Sequence, residues 1–180
     1  ADVITGAEGD DLIGGGLGDD YLSGGDGADV IAGGQGDDIA VFAGNQSDYT
    51  FASSSDGLTV TVTEVSTGYA DTVSGVETLR FDDGDIAVSQ DANGLLLTGS
   101  AGSDTITIVG DVPVTVLGGA GADVITGAEG YDLIDGGLGD DYLSGGDGAD
   151  VITGGQGDDI AVFAGNQSDY TFASSSDGLT

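Results

Sequence analysis

Nearly every charged side chain in this 180-residue chain is a carboxylate: Asp and Glu number 33, Lys and Arg together one, and His and Cys none. The missing residue types exclude whole classes of activity. Without His, Cys or Lys there is no Ser-His-Asp triad, no thiolate nucleophile, no Schiff-base lysine and no His/Cys zinc site. A formal charge of −32 leaves no basic patch to displace counterions from nucleic acid or to meet an anionic lipid surface. No apolar run approaches the roughly 20 residues of a membrane span. What remains is what carboxylates do unaided, which is to accept hydrogen bonds and to hold hard cations through oxygen.

The spacing of these acids is regular. Nine-residue segments recur at 6–14, 15–23, 24–32 and 33–41, again at 118–126, 127–135, 136–144, 145–153 and 154–162, and once in isolation at 99–107. In all ten the first and fourth residues are Gly and the sixth is Asp, giving Asp11, Asp20, Asp29, Asp38, Asp104, Asp123, Asp132, Asp141, Asp150 and Asp159. The tail ADVIT at 1–5 adds Asp2. A longer repeat lies over the short one: residues 1–59 recur as 122–180 with 56 positions identical. The differences, Asp10/Tyr131, Gly14/Asp135 and Ala32/Thr153, fall at nonad positions five, nine and nine, so no fixed position changes. The chain holds about one and a half copies of a 121-residue unit and reads as a window on a longer tandem array.

The elements that position these aspartates follow from the other residues. A GGxGxD segment is a poor helix, because Gly costs about 1 kcal/mol in a helix interior, and a good tight turn, because Gly accepts positive φ. The three residues after Asp alternate, with only the middle one reliably apolar, as in a short strand with one face inward. Turn, strand, turn, strand then winds a flattened solenoid of two nonads, 18 residues, per coil. Ile13, Leu22, Ile31, Ile125, Ile134, Leu143 and Ile152 are expected inside. Position seven, with Leu12, Tyr21, Val30 and Ile39, is expected to point outward. Coils stacked about 4.8 Å apart bring seven Asp pairs together: 2/20, 11/29, 20/38, 104/123, 123/141, 132/150 and 141/159. The pair 104/123 is 19 apart, one coil with a single insertion in the degenerate half-coil 108–117. Bare carboxylates so close repel. Carboxylates together with the carbonyls of glycine turns make the oxygen-only shell of six to eight ligands, at about 2.3–2.6 Å, that calcium takes.

The nonads resemble the GGxGxDxUx repeats of RTX (repeats-in-toxin) proteins. The resemblance implies an all-β fold, a right-handed parallel β-roll with Ca²⁺ between its coils. It also implies that the position-six Asp residues, with backbone carbonyls, are the metal ligands: Asp2, Asp11, Asp20, Asp29, Asp38, Asp104, Asp123, Asp132, Asp141, Asp150 and Asp159, holding about seven ions. The stretch DTVSGVETLRFDDGDIAV (71–88) resembles the sequence that often follows such nonads.

Competing chemistries fit poorly. The Gly-rich turns lead into strands and lack the lysine of a phosphate loop. No loop has EF-hand spacing. Asp82 and Asp83 as a glycosidase pair, and TVTVT as an ice-binding ladder, are weaker than the bland readings of chance acidity and β-propensity. Arg80 is expected to tie nearby carboxylates.

The sequence therefore divides into a roll at 1–41, a strand-rich segment without nonads at 42–98, a second roll at 99–162, and the start of another strand-rich segment at 163–180. The segment 42–98 is expected to stay in the same elongated body, as irregular coils or a small antiparallel cap. The reading of function is a non-enzymatic, extracellular or cell-surface calcium-binding structural repeat: part of a fibre, giant adhesin stalk or surface layer. Its expected partners are calcium and copies of itself, through apolar faces or end to end, with no nucleic acid and no membrane insertion. The resemblance implies type I secretion from a Gram-negative bacterium. Alternatives are an accessory module of a secreted protease or alginate epimerase and an adhesin binding face.

Overall fold

The computed structural model describes residues 1–172, and its regular structure is all β apart from one-turn 3-10 helices at Gln46–Asp48 and Gln167–Asp169. Residues of the 163–180 segment from position 173 onward lie outside the described residues.

The alternation after each Asp does what its pattern predicts. Position-eight Ile13, Leu22, Ile31, Ile125, Ile134 and Leu143 are buried, with Ile152 packed against them. Position-seven Leu12 is 83% exposed. Within each roll the strands pair in parallel one coil on: Val3 with Tyr21, Leu12 with Val30, Val124 with Tyr142 and Leu133 with Val151. All four steps are 18 residues, and Val124 pairs Thr105 at 19. A one-residue slip in any of these strands would turn the apolar row outward.

Strand length departs from the expected three residues on alternate half-coils. Leu12–Leu17, Val30–Gln35, Leu133–Leu138 and Val151–Gln156 run six residues, through the first three positions of the following nonad. Glycines there leave the main chains free to stay in register, as at Gly16 with Gly34 and Gly137 with Gly155. Only the G-x-D portion of these nonads is left to turn.

Two faces enclose the core. Face one is a single nine-stranded sheet: Val3–Thr5, Tyr21–Ser23, Ile39–Val41, Thr78–Arg80, Asp85–Asp91, Gly94–Thr98, Val114–Ala120, Leu133–Leu138 and Val151–Gln156. Face two is a five-stranded sheet, Leu12–Leu17, Val30–Gln35, Ala70–Ser74, Thr59–Glu64 and Tyr49–Ser53, followed by a four-stranded sheet, Thr105–Thr107, Val124–Thr126, Tyr142–Ser144 and Ile160–Val162. The two sheets of face two meet at a parallel bridge between Phe51 and Ile108, where the Val109 N–H donates to the Phe51 carbonyl (2.8 Å).

The segment 42–98 is thus a splice between the rolls, neither a terminal cap nor a run of irregular coils. From Ile39–Val41 the chain climbs to Tyr49–Ser53 on face two. It then returns as an antiparallel meander through Thr59–Glu64 to Ala70–Ser74, which pairs in parallel with Val30–Gln35. It crosses to Thr78–Arg80 on face one and rises antiparallel to Gly94–Thr98. Phe42, Tyr49, Phe51 and Phe81 fill the wider interior here, with ring centroids 5.3–5.9 Å apart.

The path has one consequence that the repeat does not announce. The strands after Asp2, Asp20 and Asp38 lie on face one, whereas their counterparts after Asp123, Asp141 and Asp159 lie on face two. Copy two lies on the opposite face, six strand positions along the body for strands that start on face one and seven for those that start on face two.

Candidate metal centre

The aspartates form ladders. In each of the seven expected pairs the backbone N–H of the earlier Asp donates to Oδ1 of the later one: Asp2 to Asp20, Asp11 to Asp29, Asp20 to Asp38, Asp104 to Asp123, Asp123 to Asp141, Asp132 to Asp150 and Asp141 to Asp159, at 2.6–3.0 Å. The eleven position-six residues therefore stand where the stacking argument puts them, in columns along the two edges of the roll.

The second oxygen is the informative one. Asp20, Asp29, Asp38, Asp123 and Asp141 are at most 2% exposed, and their Oδ2 atoms are buried without a hydrogen-bond partner. Burying a carboxylate oxygen with nothing bound to it is costly. Oδ2 of Asp11, Asp104 and Asp132 instead accepts the N–H of nonad position two, Ala7, Ser100 and Ala128. The five unpartnered oxygens belong to nonads with Gly at that position, Gly16, Gly25, Gly34, Gly119 and Gly137, all at positive φ. A glycine at position two thus leaves Oδ2 free.

The invariant first glycine has a steric cause. An ideal Cβ on Gly118 would lie 2.5 Å from Asp123 Oδ2, and the Gly136 carbonyl of the next coil is nearer still. The same two neighbours surround Gly6, Gly15, Gly99, Gly127 and Gly136. A side chain here would occupy the space where the carboxylate of one coil meets the carbonyl of the next. Among the described residues no three His, Cys, Asp or Glu side chains converge on one point. Each rung instead sets two carboxylates against main-chain carbonyls. Buried anionic oxygen, neutral carbonyl oxygen and no nitrogen or sulfur form a donor set that fits Ca²⁺.

Sequence reasoning missed three residues at the splice. Asp71 Oδ1 accepts the Asp29 N–H and Glu77 Oε2 the Asp38 N–H, both at 2.8 Å. Asp71 was legible in ADTVSG (70–75), which follows the ADVITG frame with Val73 inward, but the GGxGx pattern of a nonad does not precede it. Gln46, fully buried, ends the other ladder: its Nε2 donates to Asp104 Oδ1 and its Oε1 accepts the Thr105 N–H, both at 2.8 Å.

Burial pushes the Asp71 carboxyl up to about 6, and burial raises that of Asp123. Arg80 binds Asp85 through two nitrogens, at 2.9 and 2.7 Å, and holds that carboxyl below its ordinary value. Asp82 and Asp83 accept the N–H groups of Gly44 and Gln46 and tie down a loop.

The pattern of the RTX calcium-binding nonapeptide repeat (four copies) matches residues 5–40, 115–143 and 135–170, a little over half of the chain. No curated protein matches it. Among solved structures, the extracellular lipase LipA from Serratia marcescens is similar at 24% identity and a TM-score of 0.29, over 94% of this chain and 34% of the lipase. The chain thus spans about a third of that protein's length. With its nonads matched in register and its aspartates stacked coil upon coil, the chain belongs to the RTX calcium-binding nonapeptide repeat family.

Proposed function

We propose that this chain is a calcium-assembled structural repeat of a secreted or cell-surface protein, one segment of a fibre, adhesin stalk or surface layer. Asp2, Asp11, Asp20, Asp29, Asp38, Asp104, Asp123, Asp132, Asp141, Asp150 and Asp159 serve as its metal ligands, about seven ions lying between coils. When bound, Ca²⁺ supplies the positive charge that stacked carboxylates lack. The chain's own residues hold the two oxygens of each rung in register, exclude water with position-eight side chains, and keep the first glycine clear.

The observation that carries the structural role is the uninterrupted nine-stranded face one, which runs from the first copy into the second. A unit that hands one sheet directly to the next suits a rod whose every segment does the same mechanical job. At about 1 mM Ca²⁺ and a site of about 10⁻⁴ M, each ion contributes roughly 1.4 kcal/mol. Folding is therefore conditional on the calcium level outside the cell, which suits export as an expanded chain.

Calcium titration followed by circular dichroism tests the metal requirement, and electron microscopy of the folded material tests the role. The expected results are β structure that appears with calcium, then rods or sheets. Equal β content in excess EGTA would refute the first part, and dispersed single particles from a multi-unit array the second. For lateral assembly, Leu12, Tyr21 and Ile39 changed together to Ser, with their copies, should disperse sheets while calcium binding persists.

A further inference from the structure

The first roll's ladders do not stop where the nonads stop. In the motif pairs the lower Asp presents Oδ2 beside its own first glycine, beneath the carbonyl of the next coil's first glycine, as Asp20 does at Gly15 beneath Gly33. Its N–H is given to the carboxylate above. Asp38 is the lower member of no motif pair, yet it has this whole arrangement. Its Oδ2 is buried, without a partner, and lies 2.6 Å from a Cβ built on Gly33. The carbonyl of Gly75 stands over Gly33 and also accepts the Gly34 N–H at 3.1 Å. Glu77 Oε2 takes the Asp38 N–H. Gly75 and Glu77 thus stand in for positions one and six of a coil whose turn has shrunk to a single intervening residue.

On face two, Asp29 is likewise 1% exposed with an unpartnered Oδ2, and Asp71 takes its N–H. The three atoms nearest a Cβ built on Gly24 all belong to Asp29, with no next-coil carbonyl among them. Instead a cavity of about 160 Å³ opens there, lined among others by Gly24, Asp26, Glu64 and Asp71. The start of the second roll is built differently, because the neutral amide of Gln46 lies beneath Asp104 and donates to its Oδ1.

We propose that the splice carries two calcium sites outside the nonads, one between Asp38 and Glu77 with the Gly75 carbonyl, and one between Asp29 and Asp71. The first is enclosed by protein oxygen. The second opens to the cavity, which leaves room for water ligands. The inference rests on calcium binding by the nonad carboxylates and makes calcium lock the splice onto the first roll.

Native mass spectrometry of the full chain in calcium counts the ions directly. Nine are expected for the unaltered chain, seven from motif pairs and two from the splice. Glu77→Gln and Asp71→Asn should each remove one, and Asp82→Asn, at an exposed acid of the same segment, none. Seven ions in the unaltered chain, or unchanged counts in both folded variants, would overturn the splice sites while leaving the motif sites standing. No ions at all would overturn both readings. The count for the unaltered chain decides the matter even where a variant fails to fold.

Discussion

At the residue scale, the two oxygens of a position-six Asp within a ladder, such as Asp20 or Asp38, have separate tasks. Oδ1 takes the N–H of the Asp one coil back, and Oδ2 is left toward the next coil's carbonyl. The first glycine is what keeps that space clear. Gly15→Ala would set a methyl 2.7 Å from the Gly33 carbonyl, closer still to Asp20 Oδ2, so overpacking should cost about 1–3 kcal/mol and shift the calcium midpoint upward. Asp19→Ala, at a variable and exposed position five, should leave the midpoint unchanged in the same titration. The pH response of the metal-free chain follows from Asp71 and Asp123, whose carboxyls burial raises. Their folded states hold a proton more tightly than the unfolded chain, so both contributions are complete below the ordinary value of 3.8 and are lost as pH rises, that of Asp71 through about 6. In EGTA, acidification from pH 7 to 3.5 should therefore raise β content by circular dichroism. A flat profile would contradict the burial argument. In saturating calcium the sign reverses, because protons compete for the same oxygens.

At the scale of elements, the splice is held by unequal ties. Gln46 is buried and satisfies both Asp104 and the Thr105 N–H. Gln46→Leu leaves the Thr105 N–H unpaired and Asp104 Oδ1 with only a long bond from the Ser100 hydroxyl (3.3 Å), and should cost about 2–4 kcal/mol in denaturant unfolding at saturating calcium. Arg80 forms the bidentate pair with Asp85 at a partly exposed site and lies 5.9 Å from the Tyr21 ring centroid. Arg80→Gln should cost less, about 1 kcal/mol or under. A larger loss for Arg80→Gln than for Gln46→Leu would invert this ranking. The register of the strands themselves was legible in the sequence, because a period of nine with one apolar position admits one inward face. The six-residue strands were not, because glycine reads locally as a turn and only pairing with the neighbouring coil holds it extended.

At the scale of the whole molecule, one 121-residue step exchanges the faces and moves strands of face one six positions and strands of face two seven. At about 4.8 Å per strand, each added unit should lengthen a rod by about 31 Å. Two units, thirteen strand positions or about 62 Å, should restore the same face to the same side. Small-angle scattering on arrays of two, three and four units measures the increment. A much larger step would mean that the splice swings out as a separate body. The exchange also gives both sides of a long rod the same exposed residues in alternation: Tyr21 on face one and Val30 on face two in copy one, Tyr142 on face two and Val151 on face one in copy two.

The sequence by itself determined the coil: turn, strand, inward residue, stacked aspartate and the oxygen-only chemistry that goes with them. Each of these is local or repeats at a fixed offset, so composition and spacing suffice to specify it. Only the tertiary structure decided what happens between the rolls. Asp71 lacks the GGxGx pattern before it, Glu77 is a different residue after a shortened turn, and Gln46 carries no charge. Their places are set by a meander that climbs two strand positions and returns, a long-range path that no local period encodes. The same path decides which face each copy presents, because strand pairing across the splice, and not the repeat length, fixes the rotation from one unit to the next.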